Sequence, residues 1–266
     1  MSTMKSPTRL PVPAEKDFHV FTTFRLDSGL NSNESQIDVC GGRRSNIYLL
    51  PYHVDRLRDA AATMTGFDVS ESLEDLDSFE RQISDATGHF TRNDDGEAVP
   101  EVFRGKLSMW PDGRIDVSLV PVPRTSPILF PTTLNHYSNP TWTVILDIQA
   151  TETSLFTEVK TSNRIDYDRA RKSAGLTPSS TTEVLLYNYL GEVMDGSITS
   201  VYFYRDNEWV TPHHGGLEGV TRKFALDREM CSIAWSAVMK ESLRPGEVVW
   251  LSNAFRGFFP AVFELR

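Results

Sequence analysis

Four short stretches hold residue types whose chemistry would be useful where they stand. Lys160, in VKTSNRIDYDRAR, closes an apolar, strand-like run and precedes a charge-rich helix. Most lysines are simply solvated. One whose pKa is lowered by burial or by neighbouring charge can instead form an imine with an aldehyde. Downstream, GEVMDGSITSVYF sets Asp195 and Gly196 in a turn between two strands. A carboxylate there is either a plain turn former or a partner that keeps a heterocycle nitrogen protonated. GGLEGVTRKFAL places Gly219, Val220 and Thr221 directly before a helix, where backbone amides and a hydroxyl suit an N-cap or a bound phosphate. Finally, VVWLSNAFRGFFPAVFEL ends a strand in Ser252 and Asn253 and continues into Arg256 and Gly257, a polar loop able to receive an anion.

These residues need elements to carry them. After a polar leader over residues 1–17, FHVFTTFRL alternates as a strand, and SNIYLLPYHVDRLRDAAATMTGF passes from an extended piece into a helix with Leu57, Ala60, Ala61 and Met64 on one face. A second helix is expected across SLEDLDSFERQISDATGHF, then the polar loop TRNDDGEAVP. The strands VFRGKLSMW and RIDVSLVPV follow, joined by a Pro-Asp-Gly turn. The proline-rich stretch from residue 121 reads as a linker over 123–128. Beyond it come strands at TWTVILDI, EVLLYN, SVYFYRD, EWVTP, VVWLSN and AVFEL, with helices at RIDYDRARKSAG and TRKFALDREMCSIAWSAVM. The expectation is a small N-terminal α/β domain over 18–122 and a larger C-terminal α/β domain over 129–266 that carries Lys160, an α/β (α+β) fold in two domains.

Composition narrows the partners. Hydrophobic residues at 39% and charged residues at 24% of a 266-residue chain are ordinary for a globular protein. With 27 basic against 36 acidic residues the formal charge is −9, which argues against nucleic acid as a partner. Cys40 and Cys231 stand far apart without a metal-binding pattern, so a reducing interior, no disulfide framework and no metal are expected. No signal-like start and no apolar run of about 18 residues is seen, so the chain reads as soluble and cytoplasmic, with no membrane partner.

The four stretches, in this order, resemble the class IV aminotransferases, the fold-type IV pyridoxal-phosphate family, across roughly residues 18 to 264. Lys160 followed by Asn163 and Arg164 is similar to the family's cofactor lysine. Val193, Met194, Asp195 and Gly196 match its V-x-E-G with aspartate in place of glutamate. GVTR at 219–222 and SNAFRGFFP at 252–260 match its phosphate cup and its T-N-S/A-x-x-G-x-x-P loop. His53, Val54, Asp55, Arg56 and Leu57 match the H-x-x-R-L start of a phosphate-binding helix. FTTFR at 21–25 resembles the F-T-T-x-R strand of aminodeoxychorismate lyases, whereas the usual D-R-G-x-x-x-G-D-G approach and the T-R-G strand are absent.

The resemblance implies a cofactor, pyridoxal 5'-phosphate, in an interdomain cleft. Lys160 would be both anchor and catalytic base, and Arg56, Asp195, Val220, Thr221, Ser252 and Asn253 would hold the cofactor. Thr23, Arg25, Arg104, Arg164, Ser197 and Arg256 are the candidate substrate-binding residues, the arginines forming a small basic pocket for a dicarboxylate. The implied reaction is conversion of 4-amino-4-deoxychorismate to p-aminobenzoate and pyruvate, as in folate biosynthesis. The alternative is a transaminase acting on a branched-chain or D-amino acid or an (R)-amine. A catalytically weakened relative is the remaining alternative. Relatives of this kind are homodimers that take a small-molecule amine.

Overall fold

The computed structural model describes residues 10–11, 17–65, 75–87, 102–135 and 139–266. Most of the leader, the loop at 91–100 and the ends of the second expected helix lie outside the described residues. The chain divides into two compact units, Met1–Arg124 with Lys160–Ser162, and Thr125–Val159 with Asn163–Arg266. Among the described residues, no helix is long and apolar enough to cross a membrane.

The first unit contains β1 (Leu10–Pro11), β2 (Val20–Asp27), α1 (Glu34–Val39), α2 (Leu50–Thr63), β3 (Met64–Thr65), α3 (Leu76–Thr87), β4 (Val102–Met109) and β5 (Ile115–Pro121). β2, β4 and β5 form an antiparallel sheet, and β1 pairs with β3. The β4–β5 connection is made by the Pro-Asp-Gly turn: Gly113 has φ 82, and Trp110 N donates to Arg114 O at 2.9 Å. Directly opposed strand residues share a face, so the register divides β2 cleanly. Val20, Thr22 and Phe24 face the α2 side with Met109, Leu107 and Gly105. Phe21, Thr23 and Arg25 lie on the other face with Ser108, Lys106 and Arg104. Gly105 is required there, because a Cβ would stand 2.2 Å from the Phe24 ring. On α2 the apolar face reads as expected, with Leu57, Ala60, Ala61 and the following Met64 all buried.

The second unit contains β6 (Trp142–Leu146), α4 (Leu155–Glu158), α5 (Ile165–Ser173), β7 (Thr182–Tyr187), β8 (Val193–Gly196), β9 (Ser200–Arg205), β10 (Glu208–Thr211), α6 (Val220–Asp227), β11 (Ser232–Ile233), β12 (Val248–Asn253) and β13 (Gly257–Phe263). They form one eight-stranded sheet in the order β11-β10-β9-β12-β13-β6-β7-β8. β6 and β7 run parallel, joined through α4 and α5, as a parallel pair requires of its crossover. Val144, Leu185, Val201, Phe203, Leu251 and Phe263 centre one buried cluster.

Four expectations need correction. Asp195 does not sit in a turn but in β8, opposite Leu186, and the turn follows at 197–199, closed by Gly196 N donating to Thr199 O at 2.9 Å. The run before Lys160 is not a strand but the helical turn α4, started by a Ser154–Thr157 capping box. The helix expected over 221–239 stops at Asp227. Glu229 enters the left-handed region at φ 53, Met230 N bonds back to Ala225 O, and Ser232–Ile233 pair with β10. Lys160–Ser162 group with the first unit rather than the second, because they extend the free edge of β2: Phe21 N donates to Lys160 O and Ser162 N to His19 O.

Candidate active site

The first unit holds one candidate group of side chains, centred on a histidine. α2 opens with Pro51 at its start, where a missing N–H costs nothing, and its first turn carries His53 inward. Nε2 of His53 donates to Tyr48 O at 3.0 Å, which leaves Nδ1 as the acceptor for the Thr22 hydroxyl at 2.6 Å. The ring is fully buried. Burial pushes its pKa down to about 3, helped by the nearby Arg56 and Lys160 charges, while the bond to the Tyr48 carbonyl works the other way. His53 is therefore neutral, and two cations, Arg56 and Lys160, lie close enough to keep it so. Arg56 follows one turn after His53 and is half-buried, with its Nε shielded from solvent. Lys160 is half-buried with Nζ 5.0 Å from the Phe21 ring centre. A guanidinium in this setting suits a phosphate, and an amine beside another cation is the kind that can be activated.

In the second unit, Asp195 is buried on β8, and Gly216 packs against it so tightly that a Cβ would lie 2.6 Å from both Asp195 Cβ and Met194 O. The 197–199 turn is fastened by the buried Glu183. Its carboxylate accepts from Ser197 N at 3.1 Å, Ile198 N at 3.2 Å and Thr199 Oγ1 at 2.8 Å, and from the Ser197 hydroxyl. Arg164 donates to Ser197 O at 2.8 Å, Arg171 to Ser197 Oγ at 2.9 Å and Asn253 to Ile198 O at 3.3 Å. Asn253 also receives the amides of Phe255 and Arg256 at 3.1 and 2.8 Å, which shapes the loop after β12.

The cup lies at the start of α6. Its N-cap is Gly219, which has no side chain to cap the first-turn amides, and a Cβ there would stand 2.5 Å from Ser200 Oγ. Val220 and Thr221, the first helical residues, are buried. Ser252 Oγ donates to Thr221 Oγ1 at 2.8 Å and shares a hydrogen bond with Tyr202 OH at 2.8 Å. Burial raises the Tyr202 pKa well above the ordinary value, with Asp195 adding to the effect. Thus Thr221, Ser252 and Tyr202 form one hydrogen-bonded, buried polar group, and Asp195 is buried in the same unit. Bare helix amides with hydroxyls beside them suit a phosphate, and a buried carboxylate suits a protonated ring nitrogen, so the donors present fit a phosphorylated heteroaromatic aldehyde.

Other predicted residues are differently engaged. Arg25 is buried in a pair with Asp27, Nε to Oδ2 2.8 Å. Ser197 is committed to Glu183. Arg256 lies over the rings of Trp142 and Phe255, at 5.4 and 5.6 Å from their centres. Thr23 is half-buried and Arg104 exposed, both on the outward face of the three-stranded sheet. Sequence reasoning missed Glu183, Tyr202, Gly216 and the Thr22–His53 pair; only the charged residue heading the apolar EVLLY run offered a signal.

The model of the class IV aminotransferases matches residues 35–262, and the chain belongs to that family of pyridoxal-phosphate-dependent enzymes. A provisionally named aminodeoxychorismate lyase of Schizosaccharomyces pombe is 36% identical over 120 residues, 43% of this chain and 52% of that one, so the match spans about half the length of that curated relative. Among solved structures, a provisionally named amino-acid aminotransferase from Mesorhizobium loti aligns with TM-score 0.65 at 24% identity, covering 94% of this chain and all of that one, 100%. A provisionally named 4-amino-4-deoxychorismate lyase from Haemophilus somnus aligns at 0.59 and 17%, covering 91% and 98%. The fold is that of the fold-type IV enzymes.

Proposed function

We propose that this enzyme is an aminodeoxychorismate lyase, converting 4-amino-4-deoxychorismate to p-aminobenzoate and pyruvate. The likeness to the fission-yeast relative carries the choice of reaction; the site geometry supports the cofactor chemistry. Lys160 would hold pyridoxal phosphate covalently, Arg56, Val220 and Thr221 would bind its phosphate with Ser252 and Asn253 supporting them, and Asp195 would face its pyridine nitrogen. When bound, the cofactor supplies an aldehyde for the substrate amine and a ring that draws electrons from the bond being broken. The chain supplies the rest. Lys160, as a free amine, would take the proton from the amine-bearing carbon of the substrate and return one later. Asp195 would pair with that nitrogen and hold it protonated. Neutral His53 orients α2 without adding a third positive charge beside the amine. Loss of the enolpyruvyl ether is then drawn forward by formation of the aromatic product. Thr23, Arg25, Arg104, Arg164, Ser197 and Arg256 remain our candidates for the substrate side, and the reading includes a cytoplasmic homodimer.

The test is to load the purified protein with pyridoxal phosphate, add enzymatically prepared aminodeoxychorismate, and follow p-aminobenzoate fluorescence together with pyruvate. Equal amounts of both, lost in Lys160→Ala, are expected. If a protein that visibly holds the cofactor forms neither product, the lyase reading fails and a screen of amine donors for transamination replaces it.

A further inference from the structure

Glutamate is seldom fully buried, yet Glu183, the second residue of β7, is wholly enclosed. Its carboxylate gathers donors on both oxygens. Oε1 accepts from Val184 N at 2.8 Å, Ser197 N at 3.1 Å and the Ser197 hydroxyl, and Oε2 accepts from Ile198 N at 3.2 Å and Thr199 Oγ1 at 2.8 Å. Both oxygens must accept, which a carboxylate does and a side-chain amide does on one side only. Apart from Val184 N, every one of these donors belongs to the 197–199 turn. Neighbouring elements complete the hold: Arg171 of α5 stands 3.8 Å from Oε1 and donates to Ser197 Oγ, while Arg164 and Asn253 donate to the carbonyls of Ser197 and Ile198.

The turn matters for what it joins. Asp195 is separated from it by Gly196 alone, where a Cβ would lie 2.3 Å from Thr199 Oγ1 and 3.2 Å from Glu183 Cδ. Ser200 follows it, and Ser200 Oγ is the atom that a Cβ at Gly219, the N-cap of the cup, would meet at 2.5 Å. β8 has only four residues, so a turn that loosens acts on Asp195 through a short length of chain. Replacing Glu183 by glutamine keeps the shape but sets an NH2 group against N–H and O–H groups that need an acceptor, and the turn must shift.

We propose that Glu183 is a positioning residue for the cofactor chemistry: by pinning the 197–199 turn it holds the Asp195 carboxylate where the ring nitrogen is met. The inference rests on the assignment of Asp195 as the partner of that nitrogen. It is tested on the cofactor-loaded protein by the pH at which the absorbance of the bound cofactor changes, in wild type, Glu183→Gln, Asp195→Asn and the double variant, with thermal melting of the cofactor-free proteins alongside. Glu183→Gln is expected to move that midpoint by about half a pH unit or more, in the direction in which Asp195→Asn moves it, and to add little once Asp195 is already replaced. Thr199→Val, which removes a single donor, should give a smaller shift of the same sign, and it carries the test if Glu183→Gln does not fold. A midpoint that stays put while melting falls, or shifts that simply add in the double variant, overturns the proposal and leaves the cofactor reading intact. If Asp195→Asn itself leaves the midpoint unchanged, the assignment of Asp195 fails and this inference fails with it.

Discussion

Replacing His53 by glutamine should remove most of one pH dependence from the stability of the protein. In the folded chain the buried imidazole takes up a proton only near pH 3, whereas an ordinary histidine does so near 6.5. Between those values the unfolded chain binds a proton that the folded chain does not, so acid favours unfolding. The contribution is fully present above pH 6.5 and is lost as pH falls toward 3. At pH 5 the solution stands about 1.5 units below the ordinary imidazole pKa that the unfolded chain keeps, worth about 2 kcal/mol at 1.36 kcal/mol per unit. Because the ring is wholly buried, solvent screening does not reduce that figure much. Urea denaturation of wild type and His53→Gln at pH 7.5 and pH 5 measures it, with the variant's own carboxylate titrations cancelling in the difference. The wild type should lose about 2 kcal/mol more than the variant. Parallel losses would mean that His53 is charged or solvated in the folded protein, and the account of its pairing with Thr22 would be wrong.

Arg56→Ala should weaken retention of pyridoxal phosphate about tenfold or more by removing a charge-assisted phosphate contact, measured as cofactor remaining after dialysis. Asp195→Asn should leave the unfolding curve near that of wild type and cut turnover about tenfold or more, since the ring nitrogen loses its charged partner; an unchanged rate would reduce Asp195 to a strand residue. Gly216→Ala should cost about 1–3 kcal/mol of stability, because the new Cβ meets the Met194 carbonyl and Asp195 Cβ at 2.6 Å, and thermal melting of the variant checks it.

Period and punctuation made much of the frame legible. The alternation of FHVFTTFRL, the Leu57, Ala60 and Ala61 stripe and the Pro-Asp-Gly turn each carry their own local cause, and each appears where that cause acts. What failed to show has equally local reasons. Arg228, Glu229 and Met230 are all acceptable helix residues, so nothing in the sequence marks the end of α6; the chain leaves the helix because Ser232–Ile233 pair with β10. β8 is four residues long and wholly buried, so its apolar-polar pattern is too short to separate a strand from the turn that MDG suggests. At the site, motif order points to the residues we propose for the cofactor, while little in the sequence points to the side chains that hold the 197–199 turn. A glutamate is expected on the surface, and Glu183 is inside only because the donors of a turn fourteen to sixteen positions away converge on it.

Two adjacent threonines show how alternation divides labour in the FTTFR strand. Thr22 points to the helix side, where its hydroxyl donates to the His53 nitrogen left unprotonated by the bond to the Tyr48 carbonyl. Thr23 points to the opposite face, toward the row that holds Lys106. A one-residue slip would exchange them, leaving His53 without its donor and putting a hydroxyl where the helix packs. The neutral ring matters because Arg56 and Lys160 both act on it: a third buried cation there would carry a desolvation cost and be repelled by both. Two cations thus stand near a histidine that burial, and their own charges, hold uncharged.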